Sequence, residues 1–294
     1  MSNKLIDGKA IAATIKKEIA KEVAALIDAD KKAPHLAAVL VGNDPASETY
    51  VASKERACKE VGITSTTYRL AEKTSEKELV EIIEFLNNDP DVDGFIVQLP
   101  LPSHLNSDKI LEHIHPSKDV DGFHPLNIGR MQLGLPCYLP ATPYGVVELL
   151  KRSKVEIDGK HCVVLGRSNI VGTPLSILLS RKSNYGNATV TLCHSRTKDL
   201  NAIIQQADIL IAAIGQPEFV KGDMLKKDVV VVDVGIHRIP DASNEKGYRL
   251  TGDVDFDSVK EVVSRITPVP GGVGPMTIVS LLQNTLSASQ KKIY

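Results

Sequence analysis

The sequence predicts an α/β protein made of two α/β domains with parallel sheet, and three observations predict it. Helical and strand patterns alternate almost throughout the chain, as in βαβ connectivity. The length of 294 residues exceeds one ordinary domain and fits one large or two medium ones. A Pro- and His-rich irregular stretch, about 100–143, separates two alternating blocks.

In the first block, Asp7 is placed to cap a helix whose apolar positions Ile11, Ile15, Ile19 and Val23 recur every four residues. Residues 36–41 form a short apolar strand. A helix over about 47–61 stops at Gly62, and 64–70 alternates as a strand does. Ser75-x-x-Glu78 is a capping box opening a helix that ends near Asn88. Asp89-Pro90-Asp91 is a turn, and 94–99 is a buried strand. The second block begins near Lys160, with strands at 161–165, 188–193, 209–214 and 229–234 and a helix running to Leu179. Near the C-terminus, Pro270-Gly271-Gly272-Val273-Gly274-Pro275-Met276-Thr277 precedes an apolar segment read as a helix from Ile278. Gly there lets the backbone bend and approach closely, and Pro stiffens the same loop. Such a loop holds a ligand or makes a stiff connection between domains.

Composition narrows the functional classes. The apolar fraction of 43% and charged fraction of 24% are ordinary for a soluble globular chain. The net charge of −1 gives no electrostatic case for nucleic acid or an anionic membrane. No apolar run is long enough to span a bilayer, and the N-terminus lacks a signal-peptide pattern. Cys58, Cys137, Cys162 and Cys193 show no metal-ligand spacing and are too few for a disulfide scaffold, so a reducing cytoplasm is the simplest reading. The eight His also lack ligand spacing, and no metal site is expected.

Strand, glycine turn and helix over 161–179 are the parts of a dinucleotide-binding βαβ unit, with phosphates expected at the helix N-terminus. The spacing is Gly166-x5-Gly172, not G-x-G-x-x-G, and an ordinary βα turn has the same look. After the next strand, an NAD site carries Asp or Glu for the ribose hydroxyls. This chain has His194-Ser195-Arg196-Thr197 there, and Arg167 in the first turn. Hydroxyls and cations suit a 2′-phosphate, so NADP is favoured over NAD. A solvated polar strand end is the bland alternative.

Three segments of the first block carry chemistry. Tyr50 and Lys54, spaced i and i+4, share a helix face that continues to Cys58. On their own they also fit a solvated lysine beside a half-buried tyrosine. The Tyr-x-x-x-Lys pair of short-chain dehydrogenases follows the nucleotide-binding strands, whereas this one precedes them. Val97, Gln98 and Leu99 end a buried strand, the edge off which open α/β sheets bind ligands. Lys118-Asp119-Val120-Asp121-Gly122-Phe123 is a turn with two carboxylates; either Asp could simply cap it.

Taken together, Tyr50-x-x-x-Lys54, Gln98-Leu99-Pro100-Leu101-Pro102, Asp119-Val120-Asp121-Gly122, Gly166-x5-Gly172 and the Gly-Pro loop resemble the bifunctional methylenetetrahydrofolate dehydrogenase/methenyltetrahydrofolate cyclohydrolases. The similarity covers nearly the whole chain. It implies NADP-dependent oxidation of methylenetetrahydrofolate, then hydrolysis to 10-formyltetrahydrofolate, in a cleft flanked by two α/β domains. The implied domains are 1–142 plus 276–294, a folate-binding catalytic domain, and 143–275, a Rossmann-type NADP-binding domain. By the resemblance Lys54 is the catalytic lysine, Tyr50 stacks on the folate, Gln98 partners the lysine and Asp121 holds the pterin. Val97, Leu99, Pro270, Gly271 and Gly272 complete the folate site, and Gly166, Arg167, Ser168, Ser195 and Ile236 meet the nucleotide. A homodimer is implied in the same way.

The physics agrees with those roles. The methenyl carbon belongs to an amidinium cation, so water attack calls for proton removal, which a neutral lysine can perform. Lysine begins near pKa ~10.4 and falls when desolvated. Two departures from the family pattern are visible: Ala141 stands where many relatives have Cys, and 180–187 is longer than usual. A shikimate-type NADP dehydrogenase, the rival enzyme class, accounts for 161–236 but not for the Gln98 run or the Gly-Pro loop. A non-catalytic folate- or nucleotide-binding protein is a further rival, but none of the motif residues required for catalysis is missing.

Overall fold

The computed structural model describes residues 4–244 and 247–294. The chain divides into two compact units. One comprises Ala13–Ala141 and Ile278–Tyr294; the other joins Thr142–Thr277 to the N-terminal segment through Ala12.

The helix α1 (Gly8–Asp28) opens at Asp7, whose Oδ1 accepts from the Ala10 N–H at 2.9 Å. Ile15, Ile19 and Val23 are buried along it. Next come β1 (His35–Val41), α2 (Pro45–Val61), β2 (Thr64–Leu70), α3 (Glu76–Asn88) and β3 (Gly94–Val97). The three strands form a parallel sheet in the order β2-β1-β3. Burial of Ala37, Val39, Phe95 and Val97 against Leu79, Ile83 and Leu86 holds α3 onto it. The helix α2 starts two residues before the expected Ser47, because Asp44 caps it and Pro45 occupies its first turn. It ends, as its sequence indicates, at Gly62 with φ 78°. Both halves of the Ser75/Glu78 capping box are made.

The stretch expected to be irregular contains α4 (Ser107–Glu112), α5 (Pro125–Gln132) and the start of α6 (Ala141–Arg152). The first two are capped by Asn106 and His124. They are too short to show helical periodicity, which is why the sequence pattern hides them. A parallel bridge of Phe95 to Asp119 extends the sheet beyond β3.

The other unit contains β4 (His161–Leu165), α7 (Gly172–Ser180), β5 (Thr189–Cys193), α8 (Leu200–Ile204), β6 (Ile209–Ala212) and β7 (Val230–Asp233). After an antiparallel hairpin of β8 (His237–Pro240) and β9 (Tyr248–Thr251) come α9 (Phe256–Val259), β10 (Arg265–Ile266) and α10 (Val273–Ser289). The five-stranded sheet is wholly parallel, in the order β10-β7-β6-β4-β5. The winding reverses between β4 and β6, which makes their carboxyl ends the topological switch point. The long segment 181–188 enters β5 at its opposite, amino-terminal end.

One expectation about the termini is corrected, and one contact pattern stands beside it. By contact the segment through Ala12 groups with the second unit. Ile6 N donates to Ile266 O at 2.8 Å, and Lys9 N donates to Gly271 O at 2.9 Å. The last helix starts at Val273, inside the Gly-Pro run, with Pro275 in its first turn. There a missing N–H costs no intrahelical bond.

Candidate active site

In the unit built on β1, β2 and β3, three side chains gather at the carboxyl edge of the sheet. Lys54 lies on the buried stripe of α2 with Ser47, Val51 and Cys58, so it is not a solvated lysine. It is 7% exposed. Its Nζ donates to Gln98 Oε1 at 3.0 Å. Gln98 follows β3, where its N–H continues the ladder to Val39 O. Its Nε2 donates to Leu99 O at 2.6 Å, which fixes the amide with oxygen toward the lysine. Val97 is buried in the strand; Leu99 is partly exposed beyond it. Burial pushes the Lys54 pKa down, opposed by the Asp121 carboxylate. Tyr50, one turn earlier on α2, is half-buried, and its hydroxyl pKa is raised by that burial.

The two carboxylates of the turn separate into different roles. Asp119 is buried and accepts from Phe123 N at 3.2 Å, His124 N at 2.8 Å and Asn127 Nδ2 at 2.8 Å. Desolvation pushes its pKa up to about 7 against those bonds. Asp119 therefore builds the turn. Asp121 is half-buried and its carboxylate has no hydrogen-bond partner among the described residues. Desolvation raises its pKa and the Lys54 charge lowers it. An unpaired carboxylate in a desolvated place is suited to accepting N–H groups from a ligand.

In the other unit, the glycine turn sits at the switch point. A Cβ on Gly166 (φ 109°) would lie 2.0 Å from Ala213 O, and one on Gly172 would lie 1.8 Å from Gly166 O. Only glycine lets the turn after β4 pass between β6 and the start of α7, so this is more than an ordinary βα turn. Leu165 pairs with Cys193, and two residues beyond each stand Arg167 and Ser195, both exposed. Neither the Arg167 guanidinium nor the Ser195 hydroxyl has a partner among the described residues. The turn carrying Ser195 is locked by His194 N donating to Thr197 Oγ1 at 2.9 Å. Ser168 Oγ accepts from Val171 N at 3.2 Å and Gly172 N at 3.4 Å. It braces the turn that leads into α7, and its O–H proton stays available to an anion. Ile236, three residues past β7, is 45% exposed. These features fit a dinucleotide carrying a 2′-phosphate: close-packed glycines, a helix N-terminus, and a cation and hydroxyl without protein partners.

Pro270, Gly271 and Gly272 lie in this second unit, away in sequence from the lysine's sheet. Their glycines serve backbone packing: a Cβ on Gly272 would be 2.6 Å from Pro268 O, and Gly8 fits only because it lacks one, 1.9 Å from Gly272 O. A buried group the sequence patterns leave unmarked also lies at this sheet edge. Asp253, fully buried, takes N–H groups from Ile214 at 2.7 Å and Gly215 at 3.1 Å, and pairs with His237 Nε2 at 2.7 Å. Nothing in the Thr251-Gly252-Asp253-Val254-Asp255 run marks Asp253 in sequence; its role depends on burial.

A Rossmann-type sheet with a glycine turn at its switch point, joined to an α/β unit with a buried lysine, defines a two-domain nucleotide-dependent oxidoreductase. Residues 6–121 match the tetrahydrofolate dehydrogenase/cyclohydrolase catalytic domain, and residues 140–293 match the NAD(P)-binding domain of the same family. The chain belongs to the tetrahydrofolate dehydrogenase/cyclohydrolase family. It is 59% identical over 290 residues to the bifunctional protein FolD of Bacteroides thetaiotaomicron, covering 99% of each. The crystal structure of the bifunctional FolD methylenetetrahydrofolate dehydrogenase/cyclohydrolase of Campylobacter jejuni superposes with a TM-score of 0.91. It is 48% identical, over 98% of this chain and 99% of that one. The Trypanosoma brucei dehydrogenase-cyclohydrolase, solved with NADP cofactor and an inhibitor, gives 0.93 at 39% identity, with 98% of each covered. A shikimate dehydrogenase of Aquifex aeolicus, 15% identical with a TM-score of 0.52, shares the fold alone.

Proposed function

We propose that this chain oxidises 5,10-methylenetetrahydrofolate with NADP+ and hydrolyses the 5,10-methenyl product to 10-formyltetrahydrofolate, with Lys54 as the base of the second step. The observation that carries the base assignment is the buried Lys54 amine, its pKa depressed by desolvation and its Nζ aimed at Gln98 Oε1. Bound NADP+ supplies the hydride acceptor. Arg167 and Ser195 are the groups suited to its 2′-phosphate, and the N-terminus of α7 to its pyrophosphate. Asp121 accepts from the pterin amino and ring N–H groups, and Tyr50 offers its ring face to the folate. In the hydrolytic step the water oxygen bonds to the methenyl carbon while its proton passes to neutral Lys54. The bond from that carbon to N5 then breaks as the hydroxyl proton passes to N5, leaving the formyl group on N10 and the released proton on Lys54. Val97 and Leu99 act here as backbone and apolar walls; Pro270, Gly271 and Gly272 face the folate by the family resemblance alone.

Cys58, Cys137, Cys162 and Cys193 form no disulfide among the described residues, which supports the reducing cytoplasm as its compartment. Among the described residues no helix is long and apolar enough to cross a membrane. A homodimer rests on the family resemblance, and sedimentation equilibrium checks it. The test of the function is Lys54→Met. Folded variant protein is expected to bind NADP+ and folate yet lose hydrolysis of methenyltetrahydrofolate, followed by loss of its near-UV absorbance. Hydrolysis at the parent rate would remove Lys54 from the mechanism.

A further inference from the structure

At the carboxyl edge of the five-stranded sheet, two carboxylates are buried one behind the other. Asp233, at the end of β7, accepts from Asp253 N at 2.9 Å, Val254 N at 3.0 Å and Gly235 N at 3.0 Å. Asp253 in turn uses both of its oxygens. Oδ2 takes the N–H groups of Ile214 and Gly215, in the turn that follows β6, and Oδ1 takes His237 Nε2. Two glycines make room for them. A Cβ on Gly252 would lie 1.9 Å from Asp233 Oδ2, and one on Gly235 would lie 2.4 Å from Asp253 Oδ1. Burying two acids together is costly, and burial pushes the Asp233 carboxyl up to about 7. Turns close with far less, so the arrangement calls for a use.

What Asp253 joins indicates that use. The turn it holds contains, one residue earlier, Ala213, whose carbonyl is the wall against which Gly166 packs. The histidine it holds is the neighbour of Ile236, an apolar side chain left exposed at the same edge. One buried oxygen pair thus links the turn that shapes the glycine loop to the segment that presents Ile236. The His237 side chain is partly exposed, at 21%, whereas that of Asp253 is at 0%. The pair therefore has a buried anchor and an adjustable outer member.

We propose that Asp253 and His237 are a positioning pair for the nicotinamide nucleotide, fixing the β6 turn and Ile236 at the spacing the bound dinucleotide requires. This rests on the reading that the nucleotide lies along this edge. Neither residue needs to touch it.

Because Asp253 accepts three hydrogen bonds and its removal endangers folding, the test begins with His237. His237→Ala is expected to raise KM for NADP+ about tenfold with kcat within about twofold of the parent, one lost charge-assisted hydrogen bond. His237→Gln, whose Nε2 can still donate to Asp253, is expected to restore KM to within about threefold. Asp253→Asn, which keeps the shape and loses the charge, is expected to behave as His237→Ala does. Methenyltetrahydrofolate hydrolysis serves as the control that the rest of the chain is intact. An unchanged KM in His237→Ala would overturn the proposal, and so would equal losses in the Ala and Gln variants. Arg167→Ala, measured in parallel, separates the two readings. If it too leaves KM for NADP+ unchanged, the nucleotide lies elsewhere. If only the His237 variants are silent, the pair alone is refuted.

Discussion

Gly172→Ala is the sharpest perturbation of the nucleotide site, because the added atom meets only backbone. Its Cβ would lie 1.8 Å from Gly166 O, 2.6 Å from Gly166 C and 3.1 Å from Arg167 N. Carbons of this kind essentially never come closer than 3.0 Å, so the start of α7 must retreat from the glycine turn by about 1.2 Å. Hydrogen bonds hold their strength over only about 0.5 Å of donor–acceptor distance. The retreat therefore breaks whatever contacts the α7 N–H groups and the turn make together with a phosphate. Charge-assisted contacts contribute about 1.5–3 kcal/mol each, so losing one raises KM for NADP+ about 10- to 100-fold. The wedge itself costs about 1–3 kcal/mol of stability, measured separately by thermal melting. Lys54 and Gln98 belong to the other compact unit, so methenyltetrahydrofolate hydrolysis is expected to survive. The assay is initial-rate NADPH formation against NADP+ concentration, alongside hydrolysis without nucleotide. A KM within twofold of the parent's would show that the glycine turn does not meet the phosphates.

Arg167→Ala and Ser195→Ala are each expected to weaken NADP+ binding more than NAD+ binding, by about one to two decades for the lost 2′-phosphate contact; titration calorimetry with both nucleotides checks this, and equal losses would contradict it. Asp121→Asn is expected to lower folate affinity and dehydrogenase turnover together while leaving Tm and NADP+ affinity near the parent values, because Asn offers a donor where the pterin needs an acceptor. The same change removes the charge that holds the Lys54 pKa up, so the rising limb of the hydrolysis pH profile should move to lower pH; a limb that stays or moves up would break the coupling. Lys54→Met should raise Tm at pH 7. The folded pKa of Lys54 lies below its unfolded value, so between the two the folded state binds fewer protons and stability climbs with pH. Removing the buried amine abolishes that penalty, and a lower Tm at pH 7 would count against it.

Most of the fold was legible because its signals are local. The strand at 64–70, the strand at 161–165 and the Ser75 cap need only alternation, a short apolar run and a capping pair, and all three survive in the structure. What the sequence hid depends on partners far along the chain. The N-terminal segment joins the second unit through backbone bonds to Ile266 and Gly271, which no pattern at residues 4–9 announces. The antiparallel hairpin of β8 and β9 has strands of four residues, too short for alternation to stand out. At α4 and α5 the caps were present but periodicity was not, and a cap alone does not distinguish a helix from a turn.

The candidate site was legible by residue type but not by role, and the pair Asp119 and Asp121 shows why. Both precede Gly122 within one turn, and either could cap it. A turn needs only a limited number of acceptors. The structure assigns that work to Asp119, which collects three N–H donors, and leaves Asp121 with none among the described residues. A half-buried carboxylate that satisfies no local N–H, and whose desolvation is offset chiefly by a buried lysine, is not explained by folding. Folding alone would favour an uncharged residue at each of the two positions. Lys54 and Asp121 each carry a cost that the other only partly relieves, and a ligand donating N–H groups to one while yielding a proton to the other relieves both. The same logic ranks Ser195, whose hydroxyl has no partner among the described residues, above Ser168, whose oxygen is spent on the turn into α7 and which keeps only its O–H proton for an anion. In each case the group proposed to meet a ligand is the one the fold leaves less satisfied, and that distinction exists only in three dimensions.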